Sequence, residues 1–144
     1  MKNLQIICLK GNNLNGNLSP SLFIAVPNLV EIWLSNNQIT GPIPHISIEL
    51  NPKLTHICFA NNKMCGEIPP NIKYLTNLEC LSLGNNNFSG EIPYDLIQLK
   101  KLTQISLHNN SFTGSYPKFL ENQTQIKDIQ LFNNKFTCMG PSSF

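Results

Sequence analysis

The sequence predicts an α/β solenoid, a single coil in which short parallel strands stack turn upon turn. Three observations carry this reading. A nine-residue pattern beginning at Leu4 returns at Leu29, Leu54, Leu78, Leu102 and Ile126, 24 or 25 residues apart, across nearly all of the 144 residues. Apolar residues at positions four and six of each copy alternate with more polar ones, as along a strand with one face inward. An asparagine closes every copy at position nine: Asn12, Asn37, Asn62, Asn86, Asn110 and Asn134. A fixed period of this length marks a repeat architecture, in which no unit buries its apolar edge alone and stacking completes the core. The chain therefore reads as one domain over residues 1–144, the last copy partial.

The elements follow in order along each copy. The strand comes first, and the asparagine stands where the chain must turn off it. A primary amide carries two N–H donors and an acceptor, so stacked copies can satisfy backbone groups in the turns above and below. The next inward residue is Leu14, Ile39, Met64, Phe88, Phe112 or Phe136. At about 4.8 Å per strand, six turns make a slab roughly 30 Å long.

Each copy reads LxxLxLxxN, the leucine-rich-repeat signature. After the asparagine it continues N-x-φ-x-G-x-I-P, with φ apolar, as in Asn37–Pro44, Asn62–Pro69 and Asn86–Pro93. This resembles the plant-specific leucine-rich repeat, found in ectodomains of plant receptor-like kinases and receptor-like proteins and in polygalacturonase-inhibiting proteins of the cell wall. The resemblance implies a right-handed coil with a concave parallel β-sheet, a second short strand around G-x-I-P, and 3₁₀ or irregular turns on the convex side. The first unit departs from the motif at Gly16-Asn17-Leu18-Ser19, the fifth at Gly114-Ser115-Tyr116-Pro117, and the sixth has Cys138 in place of the glycine. The cysteine-paired caps usual in the family are not recognisable. The chain is accordingly expected to be an excerpt or truncated product of a longer receptor-like protein.

Composition narrows the function. Charged residues make up 12% and the net charge is +2, which provides no basic footprint for nucleic acid and no polybasic membrane anchor. No apolar run approaches the roughly 20 residues of a membrane span. The stretch Leu4–Leu9 after Met1-Lys2-Asn3 is shorter than a signal-peptide core and lacks a small-residue cleavage site, so neither an export signal nor an anchor is expected within the chain.

The five cysteines, Cys8, Cys58, Cys65, Cys80 and Cys138, match no zinc or CxxC spacing. Cys8 and Cys58 fall in strands, facing outward on the concave side, and Cys80 lies on that face one rung from His56. The diagonal from Cys58 to Cys80 is about 8 Å between Cα atoms, beyond the roughly 7 Å a disulfide tolerates, so free thiols are expected. N-x-S/T triplets at Asn17, Asn87, Asn109 and Asn122 are candidate glycosylation sites on exposed turns. Asn109 is the weakest of them because it adjoins the buried Asn110.

Positions three, five, seven and eight of each copy face the concave side. Position three holds Ile6, Glu31, His56, Cys80, Gln104 and Asp128; position five holds Cys8, Trp33, Cys58, Ser82, Ser106 and Gln130. Position seven holds Lys10, Ser35, Ala60, Gly84, His108 and Phe132, and position eight is asparagine in every copy after Gly11. The surface is polar and nearly uncharged. Trp33, the only tryptophan, reads as an interaction anchor or as packing over Cys8 and Cys58. From these columns the expected ligand contacts are Glu31, Trp33, His56, Cys58, Cys80, Ser82, Gln104, Ser106, His108, Asp128, Gln130 and Phe132.

His56, Cys58 and Cys80 lack a fourth ligand, so no metal is expected. Glu67 and Glu91 share one slot in adjacent turns, the spacing of a retaining glycosidase pair, but lie on a solvated flank without a cleft. Ser82 with His108 lacks a group to orient the base. Neither an enzyme activity nor a cofactor is expected. The leading reading is a peptide- or protein-binding module of a plant cell-surface receptor. An extended ligand would lie along the asparagine column, with a co-receptor as a further partner and an extracellular or cell-surface location in the parent receptor. The alternatives are inhibition of a cell-wall-degrading enzyme and binding to ice by a flat polar face.

Overall fold

A computed structural model describes residues 1–44 and 50–138. Among the described residues two parallel sheets run side by side along the coil. The concave sheet contains β1 (Ile6–Cys8), β3 (Glu31–Trp33), β5 (His56–Cys58), β7 (Cys80–Ser82), β9 (Gln104–Ser106) and β11 (Asp128–Gln130), neighbouring one another in that order. The second sheet contains β2 (Asn15–Asn17), β4 (Gln38–Gly41), β6 (Lys63–Gly66), β8 (Asn87–Glu91) and β10 (Ser111–Thr113). The second strand ends within one residue of the glycine of each copy, before it in β10 and at or just past it in the others, and so lies slightly earlier than expected. The isoleucine and proline of the motif leave the sheet, since proline has no N–H to give the ladder.

One register runs through the concave sheet. Ile7, Ile32, Ile57, Leu81, Ile105 and Ile129 pair in sequence across it. Because side chains alternate along a strand, a shared register places all six on one face. They point inward with Leu34, Phe59, Leu83 and Leu107, which are 2% exposed or less. Ile39, Met64, Phe88 and Phe112 fill the layer behind, and the Phe88 and Phe112 rings lie parallel with centroids 6.3 Å apart. The pattern weakens only at the ends, where Leu14 is exposed and Phe136 half-buried, because each has a neighbouring rung on one side only.

The convex side is built from short helices: 3₁₀ turns at Pro70–Tyr74, Tyr94–Gln98 and Lys118–Leu120. The first rung departs with a six-residue α-helix, α1 (Pro20–Ala25). Ser19 caps it by accepting from the Ser21 N–H, and Pro20 occupies the first turn, where a missing N–H costs nothing. The convex turn of the second rung falls on residues 45–49, outside the described residues.

The asparagine at position nine ties the rungs together. In Asn86 the Nδ2 group donates to its own turn at Leu83 O (3.1 Å) and to the preceding turn at Phe59 O (3.0 Å), while Oδ1 accepts from Met64 N (2.9 Å). Asn37, Asn62, Asn110 and Asn134 repeat the same three bonds. These bonds link each turn to its own backbone and to the turn before it, rather than to both neighbours. Asn12 has no preceding described turn and bonds only within its own, to Leu9 O and Lys10 O.

Two outcomes in urea unfolding test this packing. Asn86→Ala strands three buried backbone groups and should cost about 3 kcal/mol or more, whereas Asn12→Ala, on the exposed end, should be close to neutral. Leu81→Ala, with its side chain fully buried, should cost about 2–5 kcal/mol.

Candidate binding face

Each concave strand is three residues long, so its first and third residues face out and the middle one faces in. The outward columns run as the spacing predicts: Glu31 pairs with His56, His56 with Cys80, Trp33 with Cys58 and Cys58 with Ser82. Two ring stacks stand on this surface. The Trp33 and His56 rings are 5.5 Å apart at 23°, and the His108 and Phe132 rings 4.7 Å apart at 18°. Trp33 therefore packs on the imidazole of the next rung, and its Nε1–H donates to Glu31 Oε2 at 2.8 Å. Phe132 leaves 56% of its surface exposed.

Hydrogen bonds fix both imidazoles. The Thr55 hydroxyl donates to Val30 O (3.2 Å), so its contact with His56 Nδ1 (2.9 Å) is received from the ring N–H. On the last three rungs the side chains form one directed chain. Asn133 donates to Asn109 (2.7 Å), Asn109 to Asn85 (2.5 Å) and Asn85 to His108 Nε2 (3.3 Å). The His108 proton then sits on Nδ1 and is donated to Ser106 Oγ (2.8 Å); Ser106 donates to Gln130 Oε1 (3.4 Å) and Gln130 to the Asp128 carboxylate (3.1 Å). The serine beside His108 is thus Ser106 and not Ser82. In this network the imidazole gives its proton toward the hydroxyl, the opposite of what a general base does.

The backbone explains the position-eight column. Asn36, Asn61, Asn85, Asn109 and Asn133 have φ between 52° and 60°, and Gly11 in the same slot has φ 70°. Asparagine and glycine are the residues that enter this left-handed region most readily. The sequence showed the column, but this turn requirement accounts for it. Three of its amides are already engaged with one another, and Asn36 and Asn61 remain exposed. Gly84 answers a different need: the His108 ring lies over it, and a Cβ there would stand 2.8 Å from the ring nitrogens.

The remaining expected contacts divide by depth. Gln104 is exposed, while Ser82, Ser106, Asp128 and Gln130 are half-buried. Cys58 and Cys80 correct the expectation of outward, solvent-facing thiols: they keep their columns but are 4% and 8% exposed. Their side chains are short beside Trp33 and His56, and the two thiols hydrogen-bond to each other. That bond, followed by burial, holds the Cys58 thiol well above its usual pKa. All five cysteines are free. Among the described residues no group of three or more His, Cys, Asp or Glu is arranged to hold a metal, and no helix is long and apolar enough to cross a membrane. Of the N-x-S/T asparagines, Asn17, Asn87 and Asn122 are exposed, while Asn109 is half-buried with its amide bonded on both sides.

The Leucine Rich Repeat family model matches residues 28–49, 53–75, 77–99 and 101–123, more than half of the chain. The chain belongs to the leucine-rich-repeat family. No curated protein matches it in sequence. Among solved structures it is similar to the plant peptide hormone receptor RGFR1 in complex with RGF2, at 30% identity and TM-score 0.88 over 94% of this chain and 21% of that one. It is similar to the Arabidopsis receptor kinase HAESA in complex with the peptide hormone IDA and the co-receptor SERK1, at 32% identity and TM-score 0.85 over 92% of this chain and 22% of that one. The ectodomain of the receptor kinase SOBIR1 from Arabidopsis thaliana matches at 27% identity and TM-score 0.83, over 94% of this chain and 72% of that one. The leucine-rich-repeat chain described here thus spans about a fifth of the first two receptors.

Thiol titration with Ellman's reagent in mildly alkaline buffer checks the facing of the columns. Cys8, Cys65 and Cys138 are exposed and should react at once, whereas Cys58 and Cys80 should react only on unfolding. Position eight is checked by Asn61→Gly, which should leave stability within about 0.5 kcal/mol, against Asn61→Val, which should lose about 1–3 kcal/mol to backbone strain.

Proposed function

We propose that this chain is a ligand-binding segment of a plant cell-surface receptor ectodomain, and that it captures an extended peptide or protein segment on its concave face. The observation that carries the reading is the pairing of two ring stacks with a hydrogen-bonded polar floor. Trp33 and Phe132 offer apolar area, and the imidazoles and amides beside them are already held in place. Rigid aromatic anchors and preorganised polar groups reduce the ordering cost of binding. Glu31 and Asp128 supply carboxylates near either end of the described columns, which favours a ligand with cationic or N–H-rich ends. The complexes of RGFR1 with RGF2 and of HAESA with IDA and SERK1 support a peptide ligand and a co-receptor, and the receptor ectodomains among the similar structures support an extracellular location. An ice-binding face is less well supported, because Trp33, His56 and Phe132 interrupt any regular ladder.

The test is capture of peptides from the acid-soluble secreted fraction of plant tissue, read by mass spectrometry. Peptides retained by the wild-type chain should be lost with Trp33→Ala and Phe132→Ala while the thermal midpoints stay within a few degrees. Gly84→Ala should also reduce retention, since the added methyl displaces the His108 ring. Retention unchanged in all three variants would remove the concave face from the function.

A further inference from the structure

On the flank away from the concave sheet lies an open cavity of about 420 Å³, bounded among others by Glu91, Tyr94, Ser115, Tyr116, Pro117 and Phe119. It coincides with the rung at which the repeat leaves its own pattern. After the glycine, the third and fourth rungs read Glu67-Ile68-Pro69-Pro70-Asn71 and Glu91-Ile92-Pro93-Tyr94-Asp95; the fifth reads Ser115-Tyr116-Pro117-Lys118-Phe119. A solenoid makes the same packing demand at every turn, so Tyr116 in the place of Ile68 and Ile92 is not demanded by the coil, and Ser115 and Phe119 stand at positions that vary from rung to rung.

The geometry shows what they produce. Along this flank the residue after each glycine lies over the glycine of the next rung: the Glu67 stem covers Gly90, and the Glu91 stem covers Gly114. Glu91 is exposed and lines the cavity with its carboxyl group over Gly114, and the shorter Ser115 lines it as well. Tyr94 is 65% exposed and meets Phe119 edge-to-face at 5.0 Å. Tyr116 is fixed by its hydroxyl, which donates to Glu121 Oε1 (2.9 Å), and by edge contact with Phe136.

A cavity of this volume falls in the size class of small-ligand sites, which combine apolar walls with a few placed polar groups. Its complement has a flat C–H face to lie on the exposed tyrosine ring and hydroxyls at its edge to donate to a carboxylate and exchange bonds with a serine. A pyranose ring has both, and Glu91 and Lys118 bring opposite charges to the lining, which gives an acidic ring no net attraction over a neutral one. We propose that this flank is a binding site for a neutral saccharide, separate from the concave face.

The experiment is a ¹H–¹⁵N NMR titration of the full chain with cellohexaose and mannohexaose, with a proline-rich peptide and trigalacturonate as comparisons. A neutral hexasaccharide should shift the amides of Tyr94, Ser115 and Phe119 and saturate with a Kd of about 1 mM. Tyr94→Ala, at an exposed position, should lower the melting temperature by no more than a few degrees and weaken that binding about three- to tenfold; Glu91→Gln should weaken it as well, and Trp33→Ala should leave it unchanged. Absence of shifts with both hexasaccharides, shifts insensitive to Tyr94→Ala, or shifts caused at these amides only by the proline-rich peptide or the acidic sugar would overturn the proposal.

Discussion

From the second turn on, each described turn of this coil adds to the sheet ladders one inward-facing primary amide that ties it to the turn before. The asparagine at position nine spends its N–H donors on one carbonyl of its own turn and one of the turn before, and its oxygen on the N–H two residues beyond the preceding asparagine. All three backbone groups lie where water does not reach easily, and leaving any of them unpaired is costly. Only an amide supplies two donors and an acceptor on so short a stem; aspartate lacks the donors and brings a charge. The register of the concave sheet follows from this link, because a one-residue slip would break the amide's bonds and turn the Ile and Leu column toward solvent. The outward columns, the ring stacks and the flank cavity all inherit that register.

Much of this was legible in the sequence because the repeat states the same instruction six times. The solenoid, the concave strands, the inward column from Ile39 to Phe112 and the place of Asn37 through Asn134 in the turns could be read from spacing and residue type, but the partners of those amides could not: they are the amide's own turn and the one before, not both neighbours. The less legible features depend on what lies one rung away, which no single copy contains. Cys58 and Cys80 occupy outward slots, yet their depth depends on the larger Trp33 and His56 beside them and on the bond between the thiols. The partner of His108 turned out to be Ser106 on its own turn, set by Asn85 from the rung before. The position-eight asparagines looked like surface for a ligand. Their constant feature is instead a left-handed backbone, and in the last rungs their amides bond one another. Glu67 and Glu91 are exposed, in keeping with a solvated flank, and the feature that a single copy could not show is that their side chains lie over successive glycines.

The same architecture separates stability from recognition. The inward columns and the asparagine amides are nearly uniform from rung to rung because each turn has the same neighbours. The outward columns vary freely, since nothing in the coil constrains them beyond the strand geometry. The concave face gathers its variation into two ring stacks joined to polar networks, and the fifth rung gathers its own into a cavity on the opposite flank. Both are places where residue choice is explained by neither packing nor turn chemistry.

Native-state hydrogen exchange measures the central link without altering the chain. The amides of Ile39, Met64, Phe88 and Phe112 lie outside the concave ladder and are held by the side-chain oxygens of Asn62, Asn86, Asn110 and Asn134. They should exchange as slowly as the neighbouring concave-strand amides, with Leu14, at the exposed end, markedly faster. Exchange of the four inner amides at the rate of open loops would contradict the account, because the turns would then be joined by the sheet ladders and apolar contact without the asparagine link.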